Sequence, residues 1–300
     1  MNQFAMNFMH VLSGKEVSHS VYEDLKSRID FLKKKGVVPS LAVILVGDDP
    51  ASNVYVQSKS RQFKKMGLHS DTITFPEETS EAGLASFIEE LNQDDTFHGI
   101  LVQLPLPKQI DEKRIIRAIS PEKDVDGFHP ENLGLLTAGN PRFIPCTPKG
   151  ILRIFSHYDI SPSGKHIVIL GRSNIVGRPM SILLSLKNDS GNGTVTLCHS
   201  RTADLKSFTK KADILVVALG SPELIDESYL KDGVVIVDVG INRVSDDSET
   251  RYKLVGDVHW ESIQTIASYA TPVPGGVGPM TIAMLVENTI EAAEQITKLS

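Results

Sequence analysis

The segment from Lys165 to Pro179 constrains this chain more than any other. Its first part, His166-Ile167-Val168-Ile169-Leu170, is a short apolar run rich in β-branched residues. That is the composition of a strand buried in a parallel sheet. The run breaks into a turn at Gly171, and a helix follows the turn, with Pro179 near its start. A strand entering a helix through a glycine turn leaves backbone N–H groups free at the helix N-terminus. Those groups and the helix dipole favour a phosphate. The pattern is Gly171-x-Ser173-x-x-x-Gly177, so the middle glycine of the usual dinucleotide fingerprint is absent. By itself the turn suits either a dinucleotide or an ordinary strand-to-helix connection.

The next strand, Thr194-Val195-Thr196-Leu197-Cys198, narrows the choice. Where an NAD site carries an acid for the ribose hydroxyl, this chain has His199-Ser200-Arg201-Thr202. A hydroxyl and a guanidinium suit an extra phosphate, and Arg172 in the turn adds positive charge. These residues predict NADP over NAD.

Three hundred residues suffice for two medium domains with full cores. The formal net charge of -6 argues against a nucleic-acid surface. No apolar run is long enough to span a bilayer, and the first residues show neither a basic nor an apolar leader region. The two cysteines, Cys146 and Cys198, are far apart and lack metal spacing. A reduced cytoplasmic compartment, with no membrane and no nucleic-acid partner, is expected.

In chain order, an amphipathic helix is expected over Lys15–Lys35, closed by Gly36. A strand follows at Ser40–Val46, and Asp49-Pro50 start a helix that ends near Met66. Strands at Asp71–Phe75 and Gly99–Gln103 flank a helix over Glu81–Leu91, and a short helix covers Asp111–Ile119. Ser120 to about Thr147 reads as a long irregular stretch. A helix over Pro148–His157 leads into the second unit. There the strands at Ile167 and Val195 are followed by a helix from Ala203 to Lys210. Strands at Ile214–Ala218 and Val234–Asp238 come next, with a less regular pair near Tyr252–Val255 and Ser268–Thr271. A Pro/Gly-dense segment, Thr271–Thr281, precedes a final helix from Thr281 to Ile296, which must dock back on the first unit. Strand and helix alternate throughout, so the fold class is α/β. Two α/β domains are expected, residues 1–147 plus 272–300 and residues 148–271, the second of Rossmann type.

Some residues invite chemistry. Tyr55 and Lys59 share a helix face whose stripe continues with the apolar Phe63 and Met66. A lysine there either snorkels to water or is partly desolvated, which lowers its pKa. Gln103 sits at the carboxyl end of a strand, where open α/β sheets bind ligands; it could equally cap a loop. Asp124-x-Asp126 has the opening of a calcium loop, but Phe128 stands where a ligand should be, so no metal is expected.

These motifs resemble, in order and over nearly the whole chain, the bifunctional methylenetetrahydrofolate dehydrogenase/cyclohydrolase family (FolD type). The resemblance rests on Ser52-Asn53-Val54-Tyr55-Val56-x-x-Lys59, Gly99 to Pro107, Glu122 to Gly127 and Pro145-Cys146-Thr147-Pro148. It continues through Gly171 to Gly177, Asp238-Val239-Gly240-Ile241-Asn242, Val255-Gly256-Asp257-Val258 and, most specifically, Thr271 to Thr281.

The resemblance implies oxidation of 5,10-methylenetetrahydrofolate with NADP and hydrolysis of the methenyl product to 10-formyltetrahydrofolate, in one cleft between the domains. It implies a homodimer. It implies catalytic roles for Lys59, Gln103, Tyr55 and Asp126, with Gln103 holding Lys59. Tyr55 stacks on the pterin, Asp126 binds its amino-pyrimidine edge, and Pro272, Gly275 and Gly276 complete the substrate site. Gly171, Arg172, Ser173, Gly177, Ser200, Arg201, Ile241 and Thr281 line the cofactor site. Two readings compete: a monofunctional NAD(P)-dependent methylenetetrahydrofolate dehydrogenase, and a non-catalytic NADP-binding regulator. Retention of both Lys59 and Gln103 argues against the first, and retention of the substrate residues against the second.

Overall fold

The computed structural model describes residues 9–246 and 252–299. Strand β1 (His10–Val11) precedes helix α1 (Gly14–Lys34). Strand β2 (Ser40–Val46) is buried at every position, as its apolar sequence requires. Helix α2 (Pro50–Lys65) starts where Asp49 accepts a hydrogen bond from the Ser52 N–H, with Pro50 in the first turn. Strand β3 (His69–Phe75), helix α3 (Glu81–Gln93), strand β4 (Gly99–Val102) and helix α4 (Glu112–Ala118) follow. The stretch expected to be irregular contains helix α5 (Pro130–Thr137), started by the His129 side chain accepting from the Glu131 N–H. Eight residues give too little periodicity to reveal a helix that depends on tertiary contacts.

Helix α6 (Cys146–His157) leads to strand β5 (His166–Leu170), helix α7 (Gly177–Ser185), strand β6 (Thr194–Cys198), helix α8 (Leu205–Thr209) and strand β7 (Ile214–Val217). Strands β8 (Val235–Asp238), β9 (Asn242–Ser245) and β10 (Tyr252–Val255), helix α9 (Trp260–Ile263), strand β11 (Tyr269–Ala270) and helix α10 (Val277–Thr297) complete the chain. The last helix thus begins inside the Pro/Gly segment, four residues before the sequence pattern suggests.

The chain divides into two compact units. One holds the described residues up to His19 together with Thr147–Thr281; the other holds Ser20–Cys146 and Ile282–Ser300. The first contains a six-stranded sheet of order β1-β11-β8-β7-β5-β6, parallel throughout. Val168, Leu170, Leu215, Val217 and Ile236 lie in its core. Strands β9 and β10 form a separate antiparallel pair. The second unit has a parallel sheet of order β3-β2-β4, packed against α3 and α4 through Ile44, Ile88, Ile100 and Ile115.

The expected domain boundaries differ from this division at Thr147, which falls in the larger-sheet unit, and in two segments. The described residues up to His19 group with the larger sheet because β1 pairs with β11. Residues 272–281 stay there too: the Gly276 N–H donates to Pro272 O at 2.8 Å, and the Thr147 and Thr281 hydroxyls bond at 3.0 Å. The rest of α10 packs with the smaller sheet's unit. Its buried Asn288 donates to the carbonyls of Val125 and Ile144 at 2.8 and 3.0 Å. Among the described residues no helix is long and apolar enough to cross a membrane.

Candidate functional site

In the smaller-sheet unit, α2 presents Lys59 one turn after Tyr55, and β4 ends just before Gln103. The Gln103 N–H donates to Ile44 O at 2.8 Å, which extends the β2–β4 ladder and fixes where its side chain starts. Lys59 Nζ donates to Gln103 Oε1 at 3.0 Å, and Gln103 Nε2 donates to Leu104 O at 2.8 Å. The amide therefore has one orientation: its carbonyl faces the lysine because its NH2 is engaged. The snorkelling alternative is not what the geometry shows. Burial lowers the Lys59 pKa, and the charge of Asp126, followed by Cys146, opposes that shift. Burial likewise raises the Asp126 pKa, opposed by Lys59 and by a hydrogen bond with Cys146. Lysine, carboxyl and thiol thus form one electrostatic group. Tyr55 is 39% exposed on the same helix face.

Asp124 does different work from Asp126. Its carboxyl accepts from the Phe128 and His129 N–H groups and from Asn132 Nδ2, so it organises the turn that carries Asp126. Cys146 was not singled out from the sequence. Twenty residues separate it from Asp126, and its place in the group depends on how the chain returns. Its thiol donates to Val125 O at 3.4 Å.

In the larger unit, β5 is flanked by β6 on one side and β7 on the other, so the chain reverses its winding there. Ligands bind outside the carboxyl ends of strands at such a point. The turn after β5 has φ +114° at Gly171, and a Cβ there would lie 2.2 Å from Ala218 O, so only glycine fits. Arg172 and Ser173 are exposed in this turn. The Ser173 hydroxyl accepts from the Val176 N–H at 3.1 Å, and α7 begins at Gly177 without a side-chain cap.

Ser200 and Arg201 are exposed just past β6, in a turn closed by the His199 N–H donating to Thr202 Oγ1 at 2.9 Å. Ile241 is 43% exposed after β8, and its side chain lies near Gly278 at the start of α10. Thr281 is on the same helix. The residues expected to line a cofactor site therefore come from the same unit. Pro272, Gly275 and Gly276 also belong to this unit, whereas Lys59, Gln103, Tyr55 and Asp126 belong to the other. The donor set fits a dinucleotide with an added phosphate: a glycine turn, a hydroxyl and guanidinium past β6, and no carboxylate from Cys198 to Thr202. Elsewhere in this unit Glu223, His259 and Glu261 bring ligand-type atoms within 4.8 Å of one another, with Glu261 exposed.

The fold and these residues define a two-unit α/β protein of dinucleotide-binding class, with a lysine–amide–carboxyl group on the second unit. Comparison with known proteins gives the family. Residues 145–297 match a family model described as tetrahydrofolate dehydrogenase/cyclohydrolase, NAD(P)-binding domain, and residues 12–126 match the catalytic domain of the same description. A bifunctional protein FolD of Chlorobium phaeobacteroides is 51% identical over 295 residues, covering 97% of this chain and 100% of that protein. The crystal structure of the bifunctional FolD dehydrogenase/cyclohydrolase of Campylobacter jejuni is similar with a TM-score of 0.90 and 47% identity, over 96% of this chain and 99% of that one. The Trypanosoma brucei FolD structure, complexed with NADP cofactor and inhibitor, has a TM-score of 0.91 and 33% identity over 97% and 99%. The chain belongs to the tetrahydrofolate dehydrogenase/cyclohydrolase family.

Proposed function

We propose that this protein oxidises 5,10-methylenetetrahydrofolate to the methenyl form with NADP and hydrolyses that product to 10-formyltetrahydrofolate. The observation that carries the second activity is the 3.0 Å hydrogen bond from Lys59 Nζ to Gln103 Oε1, beside Asp126. When bound, NADP accepts the hydride that leaves the methylene carbon. That step asks the protein for alignment more than for acid–base help, because the folate nitrogens stabilise the resulting cation. Gly171, Arg172, Ser173 and Gly177 would hold the dinucleotide's pyrophosphate side, and Ser200 with Arg201 would hold the added phosphate. Ile241 and Thr281 contribute further contacts.

Hydrolysis is different: the water that adds to the methenyl carbon must lose a proton, and the folate ring nitrogen released when its bond to that carbon breaks must gain one. A lysine whose pKa burial has lowered has a larger neutral fraction near pH 7 and can take that proton at Nζ. Gln103 orients the amine without adding a charge that would keep it protonated. Tyr55 offers its ring to the pterin, Asp126 accepts from the amino-pyrimidine edge, and Pro272, Gly275 and Gly276 bring backbone to the substrate. The active protein is a cytoplasmic homodimer in this reading.

The test is a spectrophotometric assay with methylenetetrahydrofolate and NADP, NAD in parallel, then methenyltetrahydrofolate alone, on the wild type and Lys59→Ala. The expected result is NADPH formation and methenyl decay above the spontaneous rate in the wild type. In Lys59→Ala, decay falls to the spontaneous rate while NADP binding persists. Decay at the wild-type rate in that variant would refute the role of Lys59.

A further inference from the structure

Two motifs of the larger unit, Asp238-Val239-Gly240-Ile241-Asn242 and Gly256-Asp257-Val258, have no part in the chemistry above except through Ile241. The structure interlocks them. The Asp257 carboxylate is fully buried and accepts four hydrogen bonds. Its Oδ2 takes the N–H groups of Leu219 and Gly220 at 2.6 and 3.0 Å. Its Oδ1 takes the Ser221 N–H at 2.8 Å and Asn242 Nδ2 at 2.9 Å. Three successive backbone N–H groups thus converge on one carboxylate. Such a concavity ordinarily binds an external anion. Here a protein side chain fills it, so the loop after β7 is shaped from within and offers these donors to no phosphate.

Asp238 locks Asp257 in turn. Its carboxyl accepts from the N–H groups of Gly240, Asp257 and Val258 at 2.9, 3.0 and 2.9 Å. The two glycines are reciprocal. A Cβ on Gly240 would lie 2.3 Å from Asp257 Cγ, and one on Gly256 would lie 1.8 Å from Asp238 Oδ2. The Asp238 N–H donates to Thr271 Oγ1 at 2.8 Å, which ties the lock to the residue before Pro272. Burying two neighbouring carboxyls is costly, and an apolar pair would have served packing alone. The donors they gather lie at one place, the carboxyl edge of β7 and β8. The residue before them, Ala218, abuts the Gly171 turn.

We propose that Asp257 is a positioning residue for dinucleotide binding: held by Asp238 and the Gly240/Gly256 pair, it sets the backbone of Leu219–Ser221 and the position of Asn242 beside the cofactor site. This rests on the proposed assignment of NADP to the carboxyl ends of β5–β8. Asp257→Asn keeps the shape but turns one acceptor oxygen into a donor. In either amide orientation two of the four bonds are lost. Asn242→Ala removes one bond and leaves the buried carboxylate in place.

The experiment measures three things: hydrogen exchange of the Leu219–Ser221 amides in cofactor-free protein, NADP affinity by calorimetry, and methenyltetrahydrofolate hydrolysis without dinucleotide. For Asp257→Asn, local exchange at least tenfold faster and NADP binding at least tenfold weaker are expected, with hydrolysis within twofold of wild type. For Asn242→Ala the expected weakening of NADP binding is about threefold, with the same local exchange signature. Unchanged NADP affinity in folded Asp257→Asn overturns the proposal, as does a parallel loss of both activities. Should Asp257→Asn fail to fold, Asn242→Ala decides, and wild-type affinity and exchange in it overturn the proposal. Failure of the wild type to bind NADP would instead refute the cofactor assignment beneath it.

Discussion

Lys59 Nζ donates to Gln103 Oε1 at 3.0 Å across 44 residues of sequence, from a helix face to the end of a strand. The partner is neutral, and that is its chemical content. A carboxylate at the same place would stabilise the ammonium form; an amide orients the amine and leaves burial free to lower its pKa.

Gln103→Glu should therefore damage hydrolysis without displacing Lys59. The new carboxylate favours the charged lysine, so methenyl hydrolysis at pH 7 is expected to fall on the order of 10²-fold. Part of that loss should return as pH rises. A pH–rate profile corrected for spontaneous hydrolysis checks this, and an unshifted profile would contradict it.

Arg201 follows β6 in place of the acid that an NAD site would use. If Arg201 holds the added phosphate as proposed, Arg201→Ala removes a charge-assisted contact worth about 1.5–3 kcal/mol. The KM for NADP is expected to rise about 10- to 100-fold, with the KM for NAD little changed. Equal effects on both cofactors, in parallel titrations, would remove the basis for assigning the added phosphate to Arg201.

Asn288 is fully buried, and its Nδ2 donates to the carbonyls on either side of the Asp126 and Cys146 region, Val125 O and Ile144 O. Asn288→Ala takes this donor from Ile144 O and leaves Val125 O with the weaker Cys146 thiol, at a cost of about 1–3 kcal/mol. Chemical denaturation followed by a probe in the smaller-sheet unit should show that loss. A change below about 0.5 kcal/mol would mean that water replaces the amide.

Asp124 supplies a pH dependence. Burial pushes its pKa up to about 7, against partial relief from Asn132 and the His129 N–H. The folded state therefore prefers the protonated acid. Its contribution to stability is full below the unfolded pKa of about 4 and is lost as pH rises through about 7. Asp124→Asn lacks this titration. The stability of the variant relative to wild type should rise between pH 5 and pH 8, by an amount on the order of 2–4 kcal/mol. Paired denaturation curves at the two pH values measure it; a constant difference would mean Asp124 does not titrate in this range.

The sequence by itself determined the α/β alternation and several element bounds. Strands β2 and β6 fall where their apolar, β-branched runs place them, and α2 starts at the Asp49-Pro50 signal. It also determined that a glycine turn joins β5 to α7, because Gly171 has φ +114° and a Cβ on Gly177 would meet Gly171 O. Tertiary structure decided what depends on partners distant in the chain. Strand β1 has only two residues and exists because β11 offers it a ladder. Helix α5 is short, and Leu136, fully buried, anchors it. The orientation of Gln103, the inclusion of Cys146 beside Asp126, and the meeting of Asp238 with Asp257 all depend on buried or partly buried hydrogen bonds. Local sequence specifies the donors and acceptors in such bonds, but burial alone makes their pairing obligatory.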